Sequence, residues 1–207
     1  MPELDVGRGL GAAYVFGYAS LVALAEAFAV EGEELAPIAG RLRGFRRCWG
    51  AAMDNWDPAN DHKHFLDPST GERPRIRVAY LNVESSEGDA VNGLAIPVGP
   101  TRLATLDARE VNYARIEVSE AFEATAPVDE PSRLETPPPV FAYVGTAAAH
   151  ERLRRGAAEQ NVCVSSRYLA DVRNAFAALG SDALAEFERT TPPPPFPERD
   201  LTRIWLR

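Results

Sequence analysis

The chain has little of what marks several large classes of protein. Only two of its 207 residues are cysteine, Cys48 and Cys163. They lie far apart and outside any C-x-x-C pattern, so no disulfide framework is written into the sequence. Two buried thiols in a reducing cytoplasm are expected instead. Histidine is scarce as well, at three residues. The sequence holds no phosphate-binding glycine loop, no G-x-S-x-G elbow and no H-E-x-x-H helix. No apolar run approaches the roughly 18 residues that a membrane span needs. The first ten residues, MPELDVGRGL, lack a basic segment followed by an apolar stretch, so no secretory signal is expected there.

Positive charge is also in deficit. Lys and Arg number 22 against 30 Asp and Glu, for a net charge of −8. That sign argues against nucleic acid or an anionic membrane surface as a partner, because both need a basic face. Arg41 to Arg47 (RLRGFRR) is the local exception, and a solvated strand edge is the expectation for it. Asp61-His62-Lys63-His64 offers two imidazoles without a third ligand at a recognisable spacing. A solvated loop is expected there, with neither metal nor cofactor.

What is present suits a folded domain. Hydrophobic residues make up 45% and charged residues 25%, which fits one domain over residues 1–207. Its core is expected from about residue 14 to 180, followed by a proline-rich tail. Thr136 to Pro139 is stiff and should lead into a strand. Pro192 to Pro195 should carry the tail over the surface.

Tyr14 to Tyr18 is aromatic and β-branched and reads as a buried strand, after which Ser20 can cap a helix through Val30. Arg75 to Val83 is apolar on both faces and suits a central strand, with Val91 to Val98 as its hairpin partner. Pro100 opens a helix carrying Leu103, Leu106 and Glu110 near one face. Tyr113–Val118 and Val140–Val144 are further strands. A last helix begins at Ser165 or Ser166, with an apolar stripe of Leu169, Val172, Phe176 and Leu179, and stops at Gly180. Strands and helices are interspersed without regular βαβ alternation. The expected class is α+β, with a mixed, barrel-like sheet and flanking helices.

One ordered set of motifs stands out. Val15 to Leu21 reads V-F-G-Y-A-S-L, and much later come Leu106-Asp107-Ala108-Arg109-Glu110 and Tyr113-Ala114-Arg115. This resembles the γ-glutamylcyclotransferase-like superfamily, including its glutathione-specific and AIG2-like branches. Members carry a Y-G-S turn after the first strand and an L-D-x-x-E segment with an essential glutamate. Phe16 to Leu21 (FGYASL) is similar to the F-G-Y-G-S-L of the glutathione-specific branch, with Ala19 in place of glycine. Gly44 to Arg47 resembles the G-[YF]-R-R strand. Phe141 to Val144 and Ser165 to Leu169 resemble the last strand and the final helix with its tyrosine.

The resemblance implies release of 5-oxoproline from a γ-glutamyl amine or peptide, in a cytoplasmic enzyme that needs no cofactor. A homodimer is compatible with it. It gives Glu110 the role of general acid/base and assigns substrate binding to Phe16, Gly17, Tyr18, Ala19, Ser20, Leu21 and Tyr168.

The chemistry is consistent with those residue types. One carboxylate can take a proton from the attacking α-amine and return it to the leaving nitrogen. A free glutamate, with a pKa near 4.3, is a weak base at neutral pH. An apolar pocket would raise that value, and Asp107 could add like-charge repulsion. Backbone N–H groups of the turn at Tyr18–Leu21 could receive an anionic group. Arg115 is expected to be structural. The competing reading is a non-catalytic domain that keeps the fold and binds a small metabolite or a protein, and Ala19 is the residue that favours it. Glycine there would permit positive φ or close ligand approach, whereas alanine adds a Cβ.

Overall fold

The computed structural model describes residues 12–24, 35–57, 62–125 and 137–205. In chain order its elements are β1 (Ala13–Gly17), a 3-10 turn (Ser20–Leu24), β2 (Ile38–Asp54), β3 (Lys63–Leu66), β4 (Arg77–Val98), α1 (Pro100–Arg109), β5 (Tyr113–Glu117), β6 (Phe122–Ala124), β7 (Val140–Gly145), α2 (Ala147–Ala158), β8 (Val162–Ser165), α3 (Ser166–Ala178), α4 (Ser181–Thr190), β9 (Glu198–Arg199) and β10 (Thr202–Trp205). The expected helix after Ser20 is a short 3-10 turn as far as Leu24, and the rest of that stretch lies outside the described residues.

Two long strands form the spine. β2 and β4 run antiparallel from Ile38↔Ala95 to Asp54↔Arg77. β4 is buried from Val78 to Val83 and again from Val91 to Val98, with an exposed stretch between. The expected hairpin between Arg75–Val83 and Val91–Val98 is therefore not formed. The two segments are halves of one strand, and both pair with β2. The Ser/Glu/Gly stretch does not reverse the chain. It loops out as a wide bulge, because Arg43 faces Ala90 and Phe45 faces Ser85, so residues 86–89 stand opposite Gly44 alone. Gly88, at φ +84, and Gly44, at φ +74, take up the left-handed backbone that this needs.

The main sheet runs β5-β7-β1-β4-β2-β6, with β8 and β9 joined beside β4. β1–β7, β4–β8 and β8–β9 are parallel, and the other pairings are antiparallel. This is the expected α+β class with a mixed, barrel-like sheet. The core forms between its inner face and helices α3 and α4, with Phe16, Leu42, Val83, Phe176 and Phe187 among the fully buried residues. Phe176 and Phe187 stack at 4.4 Å and lock α3 to α4. Gly180, at φ +123, makes the sharp break between those two helices.

The ordered core reaches beyond residue 180, since Phe187 and Leu201 are buried. β10 returns to pair with β3, Thr202↔Leu66 to Trp205↔Lys63, as a separate two-stranded ribbon. The stretch around Lys63 and His64 is thus a strand and not the expected loop. Among the described residues, no helix is long and apolar enough to cross a membrane.

What matters most for the site is a gap. On the β4 edge away from β2, β1 covers Leu94–Val98 and β8 covers Arg77–Ala79. Residues 80–93 of that edge have no strand beside them among the described residues.

Candidate active site

The cleft opens at that gap. Backbone groups on an uncovered strand edge need partners when water is excluded. At Leu81 two phenols supply them. The Leu81 N–H donates to Tyr168 Oη at 3.3 Å, and Tyr113 Oη donates to the Leu81 carbonyl at 3.0 Å. Tyr168 is held there by its helix. Ser165 is the N-cap of α3, and its hydroxyl accepts from the Tyr168 N–H at 3.3 Å, so the tyrosine stands on the first turn facing β4. Its ring meets Tyr80 edge-on at 5.0 Å and Trp49 at 6.4 Å.

The cleft has a volume of about 520 Å3, and Tyr18 to Ala23, Glu110 and Tyr168 all line it. Glu110 arrives from the end of α1. Pro100 starts that helix, Leu103 and Leu106 bury one side of it, and the backbone leaves helical geometry at Glu110 (φ −87, ψ 47). Glu110 is the C-cap and lies one residue beyond the helix face on which the sequence put it. Its backbone is fixed on both sides, by Glu110 N–H to Leu106 O and Tyr113 N–H to Glu110 O, each 2.8 Å. Its carboxylate is 17% exposed and lies 3.5 Å from Arg109 Nε.

Burial is the main force that holds the surrounding phenols in their protonated form. It raises Tyr18, Tyr113 and Tyr168 above the usual phenol value, and the nearby Glu110 charge adds to each shift. Tyr18 Oη donates to the Tyr143 carbonyl at 2.6 Å, tying β1 to β7. Tyr143 Oη donates to Asp107 Oδ1 at 2.8 Å, and Arg115 Nε lies 3.2 Å from the same oxygen. Asp107 is therefore engaged by Tyr143 and Arg115, and Arg115 serves as a structural cation over the Phe141 ring at 4.7 Å.

The remaining residues named from the sequence divide. Ala19, Ser20 and Leu21 line the cleft with Tyr18, while Phe16 and Gly17 do not. Phe16 is fully buried and packs edge-on against Phe122 at 5.8 Å. Gly17 is needed for close approach, since a Cβ there would sit 2.9 Å from the Val22 nitrogen. Ala19 has no positive φ; among the described non-glycine residues only Gln160 does. Its Cβ costs the turn no backbone strain.

Behind the site lies Arg47, for which the sequence predicts a solvated strand-edge charge. Arg47 is 2% exposed. Its Nε donates to the Tyr18 carbonyl at 2.8 Å, one Nη to Thr190 Oγ1 at 2.6 Å, and the other to the carbonyl and side chain of Asn92. The guanidinium also lies over the Phe187 and Phe176 rings, at 4.8 and 5.2 Å. Burial pushes it down to about 9, which leaves it charged at neutral pH. The expectation failed because α3 and α4 cover this face of β2, bringing Phe176, Phe187 and Thr190 onto the guanidinium. Arg41, Arg43 and Arg46 do reach solvent, where they pair with Glu186, Glu123 and Glu84.

A solved γ-glutamyl cyclotransferase superposes with a TM-score of 0.50 at 14% identity, over 88% of this chain and 89% of that one. The fold is that of the γ-glutamyl cyclotransferases. The crystal structure of YkqA from Bacillus subtilis also gives a TM-score of 0.50, at 12% identity, over 90% of this chain and 56% of that one. No family model matches the sequence, and no curated protein does.

Sequence reasoning missed Tyr80, Leu81, Tyr113 and Tyr143 as cleft residues, and Lys63, Arg203 and Trp205 at its mouth. Tyr80 sits in a strand that signals only burial, whereas Tyr113 and Tyr143 belong to the motif set without a role of their own. Lys63 lies between His62 and His64 and carries no motif of its own. In the structure His62 Nε2 bonds to the Ala108 carbonyl at 2.9 Å, tying the start of β3 to the end of α1.

Proposed function

We propose that the chain is a γ-glutamylcyclotransferase-type enzyme that releases 5-oxoproline from a γ-glutamyl amine or peptide. One observation carries the reading. The Glu110 carboxylate and the Tyr18–Leu21 turn, far apart in sequence, line the same cleft of about 520 Å3. A γ-glutamyl group fits between them, with its α-carboxylate against the turn amides and the Tyr168 hydroxyl directed at the γ-glutamyl moiety.

The reaction needs no added reactant. The substrate's α-ammonium gives a proton to the Glu110 carboxylate, and the freed amine attacks the γ-carbonyl carbon. A new C–N bond closes the five-membered ring. The bond to the leaving nitrogen then breaks as that nitrogen takes the proton back from Glu110. The ring nitrogen gives up its second proton through the regenerated Glu110 carboxylate to the departing amine, which leaves as an ammonium. The products are 5-oxoproline and the free amine. Both cysteines are thiols, which suits work in the reducing cytoplasm.

A panel of γ-glutamyl compounds assayed for 5-oxoproline tests the reading, and release from at least one is expected. If all are bound or ignored without release, the alternative gains: a domain that keeps the fold to bind a small metabolite. Alanine at position 19, in place of the glycine of the superfamily turn, is what favours that alternative.

A further inference from the structure

Helix α2 carries a charge where a packed helix usually carries an apolar side chain. Ala149 and Gly156 are its buried residues, and Arg152 stands between them at spacings of three and four, on the same face. Burial lowers the Arg152 guanidinium below its ordinary value, so its place there costs desolvation. An apolar side chain would pack that face without the cost. What the cation does instead is join two parts of the fold. Its Nε donates to the Ala52 carbonyl of β2 at 2.9 Å, and one Nη donates to Asn112 Oδ1. Asn112 is 4% exposed. Its carbonyl accepts from the Thr146 N–H at 3.0 Å and from Thr146 Oγ1 at 3.3 Å. Thr146 is the N-cap of α2. The same helix therefore holds both the backbone carbonyl and the side-chain oxygen of Asn112.

Asn112 matters because of where it stands in the chain. The Glu110 carbonyl accepts the Tyr113 N–H, so Glu110 to Tyr113 form one turn with Asn112 at its third position. That turn lies at the margin of the sheet. β5, which follows it, is the outermost strand and pairs only with β7 among the described residues. Arg152 ties the turn to the long strand β2 in a single step. It is not itself one of the residues that line the cleft, whereas Asn112 is. We propose that Arg152 is a positioning residue, which acts through Asn112 to hold Glu110 where its proton transfers take place. This rests on the cyclotransferase reading of the cleft. A carboxylate that serves first the attacking nitrogen and then the leaving one tolerates little displacement, and a shift of about 1 Å can cost about 10²-fold in rate.

The test reads 5-oxoproline release from γ-glutamyl-alanine, γ-glutamyl-propylamine and glutathione. Arg152→Met and Asn112→Ala are each expected to lower kcat about ten- to a hundredfold with little change in KM, because the Tyr18–Leu21 turn and Tyr168 are untouched. The double variant should be no slower than the slower single one, since both changes break the same link. Arg77→Met is the control. It releases Glu159 and Asn161, just beyond the far end of α2, and so loosens the helix without touching Asn112. Its melting temperature should fall while its kcat stays near that of the wild type. An unchanged kcat in Asn112→Ala would overturn the positioning role and leave the proposed function standing. So would losses that multiply in the double variant, or an equal loss in Arg77→Met. If Arg152→Met does not fold, Asn112→Ala decides alone, because it keeps Arg152 and its bond to Ala52. Release from none of the three compounds by the wild type would remove the cyclotransferase reading, and the positioning role with it.

Discussion

Arg47 Nε donates a hydrogen bond of 2.8 Å to the carbonyl of Tyr18, from behind the turn that lines the cleft. The same guanidinium reaches Thr190 at the end of α4 and Asn92 on β4. One buried cation thus sets the turn relative to the central strand and the C-terminal helices. Replacing it with Met would leave the Tyr18 and Asn92 carbonyls buried without a donor. Each such orphaned group costs about 1–3 kcal/mol, so Arg47→Met is expected to lower stability by about 3 kcal/mol or more in urea denaturation. Arg47→Lys should recover only part of this, because one ammonium cannot span all these acceptors.

Glu110→Gln keeps the volume of the side chain but cannot carry a proton at neutral pH. It is expected to reduce 5-oxoproline release by about 10²–10⁴-fold, toward the upper end because one group serves both transfers. Asp107→Asn should do far less, since an amide oxygen can still accept from Tyr143 Oη. Rates of the two variants on the same substrate, with melting curves to verify folding, decide this. Equal losses would remove the special role of Glu110.

Tyr168→Phe and Tyr113→Phe each remove one of the two hydroxyls that satisfy the Leu81 peptide. Each is expected to cost about 1–2 kcal/mol of stability, while the ring contacts remain. Only Tyr168→Phe should also lower kcat/KM substantially, because only its hydroxyl is assigned to substrate. Paired denaturation and kinetic measurements separate the two effects.

Ala19→Gly tests the departure from the superfamily turn. Ala19 does not occupy the left-handed region, so glycine relieves no strain. It adds freedom to the unfolded chain, and a loss of about 0.4–1 kcal/mol is expected. Turnover should stay within the same order of magnitude. A large rise would show that the alanine Cβ constricts the cleft.

Arg41 holds Glu186 in a two-pronged pair, at 2.5 and 2.7 Å, which joins β2 to α4. The hydrogen bond from Arg41 is the main reason that Glu186 sits below its ordinary value of 4.5. A carboxylate depressed in the folded state stabilises the fold above its unfolded value and loses that contribution as pH falls through the folded one. Wild-type stability should therefore fall as the pH drops below 4.5. The fall should be shallower in Glu186→Gln, as read from urea midpoints across that range. Identical slopes would show that the pair contributes nothing to acid sensitivity.

Local chemistry determined much of this molecule. β1 is five successive buried positions because Ala13 to Gly17 is apolar and aromatic throughout. α1 starts at Pro100 and α3 is capped by Ser165, as the residues dictate. The motif order that pointed to Tyr18, Glu110 and Tyr168 was legible because it is a pattern along the chain.

Tertiary structure decided the rest, because it depends on which edges remain uncovered and on which groups meet across long distances in sequence. Val91 to Val98 became a continuation of β4 because β2 is long enough to pair with both halves. Arg47 became a core residue because Phe176 and Phe187 come over it from α3 and α4. The cleft exists because β1 and β8 leave part of the β4 edge open. Lys63, Arg203 and Trp205 line it because β10 returns to β3. No local periodicity encodes such meetings, since each is fixed by the burial of apolar faces that lie far apart in the chain.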